Sequence, residues 1–525
     1  MFRHSKLLRQ AVNHLGKYKY FDKIPKHIRN VIKEIKFYPP MIPIVIGGQK
    51  IYKNLKVQYS PYNRQRQIAT YSLADNYDME LAIKCSQRGK EIWNNYSLDN
   101  KIDIFNRAAD LVENKYEAKL IASTILGQGK VLYEAEIDAI SELSDFFRFN
   151  GQYMKELNSE KLINTEGIEN NMHWTSIPGF VAAITPFNFT AIGGNLATAP
   201  LLMGNSVLWK PSEYSILSNY YIYELLLEAG LPSEVLQFIP SKPELFMNMV
   251  LNSKDFGCLA FTGSSEVFKS LLKKVYNNID IYKSFPRIVG ETGGNNYHFV
   301  FPGMEEELDT IAKLTIIGAY GYSGQKCSAT KRLYVPKSLY NKFIKIFNAK
   351  LSHFKIDNPE KNFVFSSAVI HEDSFNKCKK HILKNVNNII TSNLFDKTDG
   401  YYIYPTLIEE TDLNADIWKK ELFGPILTIH PYNDEDLEKT AKVCVEISGT
   451  NLTGSVFYND EKYEDIVNTY FKNSVGNFYV NDKSTGSVVG QQPFGGFGLS
   501  GTNDKAGSKY FLTRFGNSVV TKRRV

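Results

Sequence analysis

Cysteine is scarce in this chain: five in 525 residues, at positions 85, 258, 327, 378 and 444, with no C-x-x-C pair. That density excludes a disulfide scaffold and fits a reducing compartment. The nine histidines are scattered without the paired spacing of a zinc site, so no metal is expected. Charge of one sign is also nearly lacking. The net +7 includes five cations within residues 1–20, Arg3, Lys6, Arg9, Lys17 and Lys19, and removing them leaves the rest near +2. A body so close to neutral offers nucleic acid no electrostatic footprint. Residues 177–209 carry no charge, but Pro186, Asn188, Gly193, Gly194, Asn195 and Pro200 interrupt them, which predicts a buried strand-helix-strand unit and no membrane insertion. No G-x-G-x-x-G fingerprint follows an apolar β-run and opens a helix. Gly127-Gln128-Gly129-Lys130 lacks the spacing and the following hydroxyl of a phosphate loop, against a nucleoside triphosphatase.

What is present is alternation. Apolar β-rich runs at 180–184, 207–209, 236–239 and 259–262 are separated by helical stretches at 216–229 and 244–251, and a second series opens at Ile288 and continues through 297–301, 332–335 and 455–458. This predicts an α/β chain of two doubly wound parallel-sheet domains with a crevice between them. Residues 108–119 and 134–149 read as helices, and the polar segment 158–174 as a loop. Phe2, Leu7, Leu8, Val12 and Leu15 lie among the cations ahead of Asp22, the first acid, and mark residues 1–25 as a mitochondrial presequence, with the matrix as destination.

Cys327 lies in Gly324-Gln325-Lys326-Cys327-Ser328, downstream of Glu291 in Gly290-Glu291-Thr292-Gly293-Gly294. A thiol can capture a carbonyl carbon and a carboxylate can activate water, a pairing that suits acyl chemistry. A lone cysteine can equally be a small buried hydrophobe. Here the surrounding loop is polar, and the adjacent Lys326 is expected to favour the thiolate. Asn188, in Thr185-Pro186-Phe187-Asn188-Phe189-Thr190, follows an apolar run, where a carboxamide can serve an oxyanion or simply satisfy turn backbone.

These segments, with Trp209-Lys210-Pro211-Ser212-Glu213, Phe261-Thr262-Gly263-Ser264, Glu421-Leu422-Phe423-Gly424-Pro425 and Pro493-Phe494-Gly495-Gly496, resemble the ordered signatures of the NAD(P)-dependent aldehyde dehydrogenases. Asp145-Phe146-Phe147-Arg148-Phe149-Asn150 and Asn481-Asp482-Lys483-Ser484-Thr485-Gly486-Ser487 resemble the branch that oxidises L-glutamate γ-semialdehyde. The alternatives are a dehydrogenase of another aldehyde and, in a different class, a non-redox cysteine hydrolase using His298.

The resemblance implies an NAD-dependent enzyme acting on a small molecule through a Cys327 thioester, with Glu291 as base and Asn188 as oxyanion donor. It places Lys210, Glu213, Ser264, Glu421 and Phe423 on the cofactor. It places Ser328, Gly486 and Ser487 on the substrate α-carboxylate, Glu142 on its α-ammonium, and Phe189 and Phe494 along its methylenes. It assigns 26–157 with 177–288 to cofactor binding and 289–490 to catalysis, and makes 158–176 and 491–525 oligomerisation elements of a homodimer or dimer-based assembly, the first a small hairpin that pairs with the C-terminal strand region. Two departures stand out: Asn295 replaces the family's usual lysine, and the Glu291–Cys327 spacing is longer than usual. Phe268 also fills a place where many members have glycine.

Overall fold

The computed structural model describes residues 17–19, 21–391 and 394–525. A seven-stranded sheet runs in the order Arg287–Glu291, Phe256–Thr262, Phe180–Ile184, Val207–Lys210, Leu236–Phe238, Ile44–Ile46, Gln49–Ile51. Its first five strands are parallel, and the last two add antiparallel at the far edge. Strands covered on both faces read as unbroken apolar runs, and the interior strands Phe180–Ile184 and Val207–Lys210 follow that rule. Helices Thr190–Leu202 and Ile216–Glu228 are apolar on nearly every side because both are sunk between sheet and neighbours.

The second sheet has six strands, all parallel: Thr406–Glu409, Ile426–Tyr432, Thr330–Pro336, Asn296–Val300, Thr453–Phe457 and Asn477–Val480. The two-sheet α/β architecture therefore matches the expectation. The start of the second series does not: Arg287–Glu291 is the edge strand of the first sheet, in register with Cys258–Thr262. A run of five residues carries no mark of which sheet it joins, and here the pairing with 256–262 decides.

Two helices also differ. The stretch 108–119 spans the end of Leu98–Glu113 and the start of Glu117–Gln128. Asn114 breaks it, with φ −120° and ψ −85°, and its side-chain amide donates to the Asp110 carbonyl that the helix would otherwise use. The helix over 134–149 is continuous but contains a π-helical turn, Ile137–Glu142.

Strand Ile168–Ser176 pairs antiparallel with Gly516–Arg524 along its whole length, forming a separate two-stranded ribbon where composition alone reads a loop. Of the presequence expected over 1–25, residues 1–16 and 20 lie outside the described residues. The remainder packs on the body: Tyr18 and Ile24 are buried with Ile28 and Ile32, and Lys17 Nζ meets Glu117 at 2.7 Å. No helix among the described residues is long and apolar enough to cross a membrane.

Candidate active site

In the first sheet, Ile184 is in register with Lys210 and with Phe261, and Thr262 with Glu291. The carboxyl ends of four strands therefore share one edge, and the chain order reverses between Phe180–Ile184 and Phe256–Thr262, the switch point where such sheets bind ligands. Asn188, Lys210, Ser264 and Glu291 all lie on this edge or just beyond it. The second sheet contributes its opposite end, because Cys327 and Glu421 precede strands Thr330–Pro336 and Ile426–Tyr432. The crevice joins the carboxyl edge of one sheet to the amino edge of the other.

The loop bearing Cys327 begins with three consecutive left-handed residues, Tyr322 (φ 51°), Ser323 (φ 53°) and Gly324 (φ 66°). Such a conformation costs about 1–3 kcal/mol for each non-glycine residue. Ser366 holds it in place by accepting from the Ser323 N–H at 2.6 Å, and the Ser323 hydroxyl also donates to the Ser367 carbonyl. At the other end Asn296 Nδ2 donates to the Cys327 carbonyl at 2.7 Å and to the Ala329 carbonyl at 2.9 Å. Asn188 Nδ2 donates to the Gln325 carbonyl at 3.1 Å, so the proposed oxyanion amide is hydrogen-bonded to the nucleophile's own loop.

Cys327 is half-buried, and its surroundings push the thiol up to about 12: burial first, then the Glu291 and Glu421 carboxylates, with Glu142 beyond them. The sequence expectation for Lys326 is overturned here. Its ammonium is committed to Glu134 at 2.8 Å, so this neighbour in sequence does not serve the thiol. Burial also raises the Glu291 carboxyl well above the usual range, Asp504 adds to the effect, and the Gly496 N–H and Lys505 oppose it. Glu291 Oε2 accepts from Gly496 at 3.4 Å, while Oε1 is buried without a hydrogen-bond partner among the described residues. A carboxyl with raised proton affinity and one oxygen left unengaged among the described residues is equipped to exchange a proton with water.

Glu421 folds back onto the segment after Glu291, and a Cβ on Gly293 would overlap its carboxylate. Burial raises Glu421 to about 7, against the pull of Lys331, Lys377 and the Gly294 N–H, and its Oε1 has no hydrogen-bond partner among the described residues. Phe423 follows in the left-handed region at φ 53°, with its ring 5.9 Å from Phe187. Lys210 is buried and lowered to about 8, by desolvation first, with only the Pro211 carbonyl at 3.4 Å as hydrogen-bond partner among the described residues. Glu213 is held by Tyr71 at 2.9 Å and Lys56 at 3.2 Å. Ser264 caps helix Ser265–Asn277 by accepting from Val267, which leaves its own hydroxyl proton to donate. An unpaired carboxylate oxygen, a buried ammonium without a carboxylate partner, and a hydroxyl at a helix N-terminus suit the ribose hydroxyls and phosphates of a dinucleotide, so these residues fit NAD. Phe268 stacks on Phe261 at 5.5 Å and lies over Gly290, where a Cβ would collide with its ring.

The substrate-side residues are less evenly placed. Ser328 and the 484–487 loop are joined, since Ser484 Oγ donates to the Ser328 carbonyl at 3.1 Å. Gly486 has φ 95°, and the Ser487 hydroxyl meets Tyr479 OH at 2.6 Å. Glu142 ends the π-turn and is raised to about 8 by burial and by Asp138. Phe189 receives Lys130 Nζ at 3.9 Å from its ring centroid, and Phe494 is half-buried on a loop bridged to Ala506.

Several residues with structural duties escape the sequence motifs. Asn296 is one. His298 is another: Nδ1 pairs with Thr315 Oγ1 at 3.0 Å, while Nε2 faces Thr330 Oγ1 at 3.0 Å and accepts from the Ser484 N–H at 3.1 Å. Burial lowers it to about 3, so it is a neutral pillar under the 484–487 loop, not the thiol's base. His371, 4.9 Å from Tyr214 and 6.4 Å from Phe187, completes an aromatic wall beside Phe423. Asn295 does not support Glu291 directly; its side chain donates to the Trp418 carbonyl, just before Glu421. Asn296, two residues past the glycine pair, lay close enough to that motif to be suspected, whereas nothing in the sequence pointed to His371.

Comparison with known proteins places these features in context. The aldehyde dehydrogenase family model matches residues 52–519. The human protein named delta-1-pyrroline-5-carboxylate dehydrogenase, mitochondrial, is 39% identical over 501 residues, 94% of this chain and 89% of its own length. The protein of the same name from Emericella nidulans is 41% identical over 487 residues, 91% of this chain and 85% of that one. The crystal structure of the Delta-pyrroline-5-carboxylate dehydrogenase from Mycobacterium tuberculosis bound with NAD and cobalamin superposes with a TM-score of 0.92 at 34% identity, covering 97% of this chain and 95% of that one.

Proposed function

This chain belongs to the aldehyde dehydrogenase family, and from that membership and the crevice described above we propose the following account of its activity. It oxidises L-glutamate γ-semialdehyde, the open form of 1-pyrroline-5-carboxylate, to L-glutamate with NAD, the second step of proline catabolism. The Cys327 sulfur adds to the aldehyde carbon, and the Asn188 amide and the Cys327 N–H stabilise the resulting oxyanion. NAD, when bound, supplies the acceptor for the hydride that leaves this carbon. A thioester then remains on Cys327, and Glu291 takes a proton from the water that hydrolyses it. Lys210, Glu213 and Ser264 hold the adenosine side of the cofactor, and Glu421 and Phe423 the nicotinamide side. Ser328, Gly486 and Ser487 take the α-carboxylate, Glu142 the α-ammonium, and Phe189 and Phe494 flank the chain.

The observation that carries this reading is the convergence on Cys327 of Glu291, Glu421 and Glu142, from three separate elements. A non-redox hydrolase draws no support, because both nitrogens of His298 are engaged elsewhere. On the same footing, 26–157 and 177–291 form the cofactor-binding part, with strand Arg287–Glu291 included, and the following residues to 490 the catalytic part. The ribbon of 168–176 and 516–524 is the dimerisation element; the alternating half-buried pattern of Ile168–Ser176 leaves one face for a second copy. The cationic, acid-free start and the mitochondrial relatives support a matrix location. The test is NADH formation from pyrroline-5-carboxylate by purified protein. Turnover that disappears in Cys327→Ala is expected, and turnover unaffected by that change would reject the assignment.

A further inference from the structure

Strand Thr330–Pro336 starts just after the nucleophile, and its second residue, Lys331, is buried. The ammonium forms no ion pair within 4.0 Å among the described residues. It donates instead to two backbone carbonyls, Gly324 at 2.6 Å and Gly424 at 3.2 Å. Burying a cation against carbonyls alone is costly, so an arrangement that retains one calls for a reason. The two carbonyls belong to the two working loops of the crevice. Gly324 closes the left-handed run ahead of Cys327, and Gly424 follows Phe423. The loops already touch at this point, because a Cβ on Gly324 would overlap the Gly424 carbonyl.

The groups facing the ammonium are Glu421, Cys378, Lys377 and Cys327. Lys377 is itself turned to the Glu421 carbonyl at 2.7 Å, and Lys326 to Glu134. Burial lowers Lys331 to about 8, with Glu421 opposing that shift.

We propose that Lys331 is a positioning residue whose ammonium clips the nucleophile loop to the cofactor loop, coupling the reactivity of the Cys327 thiol to the state of the loop that carries Glu421 and Phe423. The clip rests on the reading of Cys327 as nucleophile and extends it: the charge that helps the thiolate comes from the strand behind the loop. It acts only while Lys331 is protonated.

The test is alkylation of Cys327 by iodoacetamide on the full chain, followed by peptide mass spectrometry, across pH and with or without NAD. In the wild type the logarithm of the rate should rise with pH, flatten near about pH 8 as the ammonium loses its proton, and rise again. Saturating NAD should change the rate by about fivefold or more. Lys331→Met should lose the inflection, slow alkylation at neutral pH by roughly tenfold, and reduce the NAD effect below about twofold. Lys331→Arg should restore the neutral-pH rate but not the inflection, since a guanidinium stays charged throughout. A folded Lys331→Met protein with the wild-type rate, inflection and NAD response would overturn the proposal. If Lys331→Met does not fold, the wild-type profile decides alone, and a featureless rise with unit slope overturns it. Because alkylation needs no turnover, a failure of semialdehyde oxidation would show separately, as absent NADH.

Discussion

Lys130 and Asp138 meet at 2.7 Å with both side chains closed off from water. The same Asp138 carboxylate accepts from the Thr190 and Ala191 N–H groups, each at 2.9 Å, at the start of helix Thr190–Leu202, just after Asn188 and Phe189. The Lys130 ammonium also lies over the Phe189 and Tyr322 rings, at 3.9 and 4.8 Å from their centroids. One buried pair thus ties together the oxyanion loop, the helix behind it and the approach to the nucleophile. Asp138→Ala would strand the lysine and two helix N–H groups. We expect a loss of about 3–5 kcal/mol in urea unfolding. A loss under about 1 kcal/mol would mean that water reaches the pair and that the anchoring is weak.

Glu142 gives a pH signature. Its carboxyl is raised to about 8, so at neutral pH the folded protein holds a proton there that the unfolded chain releases. Between the ordinary carboxyl range and about pH 8 this group therefore makes stability fall as pH rises, with the penalty absent in acid. Binding runs the other way, since an α-ammonium prefers the ionised form. Product glutamate should bind more tightly as pH approaches 8 and should displace a proton. Calorimetry at pH 7 in two buffers of different ionisation enthalpy measures that proton; identical heats in both buffers would remove Glu142 from the ammonium site.

Gly293→Ala places a methyl group where the Glu421 carboxylate lies. The carboxylate must move, and with it the cofactor loop. NAD affinity, followed by fluorescence titration, should fall by about tenfold, equivalent to ~1.4 kcal/mol. Thermal unfolding should change little, because the added methyl group meets the end of the Glu421 side chain and not backbone. Unchanged affinity would place the ribose elsewhere.

Ser487→Ala removes a hydroxyl proposed for the α-carboxylate. A hydrogen bond to a charged group contributes about 1.5–3 kcal/mol, so kcat/KM for the semialdehyde should drop by roughly tenfold or more. Propanal, which has no carboxylate, should lose less than about twofold. Equal losses on both substrates would assign Ser487 a structural duty through its contact with Tyr479.

Glu291→Gln keeps the shape and removes the base. Loss of a general base slows a step by about 10²–10⁴-fold. Rapid mixing should then show one equivalent of NADH formed quickly and hardly any afterwards. A missing burst would place Glu291 before the oxidation step.

The sheets were legible in the sequence because buried parallel strands leave uninterrupted apolar runs; Phe180–Ile184 matches its expected bounds. The edge strand Arg287–Glu291 was not, being short, half-buried and decided by a partner thirty residues away. Motifs single out Cys327, Glu291 and Asn188 as candidates because each stands within a short run of neighbours that is legible locally. They carry nothing about who pairs with whom. Lys326 is beside the thiol in sequence and bonded to Glu134 in space, whereas Lys331, unremarkable in sequence, lies beneath the crevice. The ribbon, which the family resemblance implied, was hidden from composition for another reason: a two-stranded, solvent-facing pair needs no apolar run, and Asn, Glu, Thr and Lys serve as well as Val.

The meeting of one sheet's carboxyl edge with the other's amino edge leaves Asn188, Cys327, Phe423 and the 484–487 loop on connecting segments, with Lys210 and Glu291 at the very ends of their strands. Each connecting segment can be rewritten without disturbing the layers beneath. Exchanging the stretch from Asn481 to Gly496, which is fastened at one end by Ser455 and Ser484 and near the other by Lys505, should therefore reassign which aldehydes are accepted while the scaffold goes on folding as before.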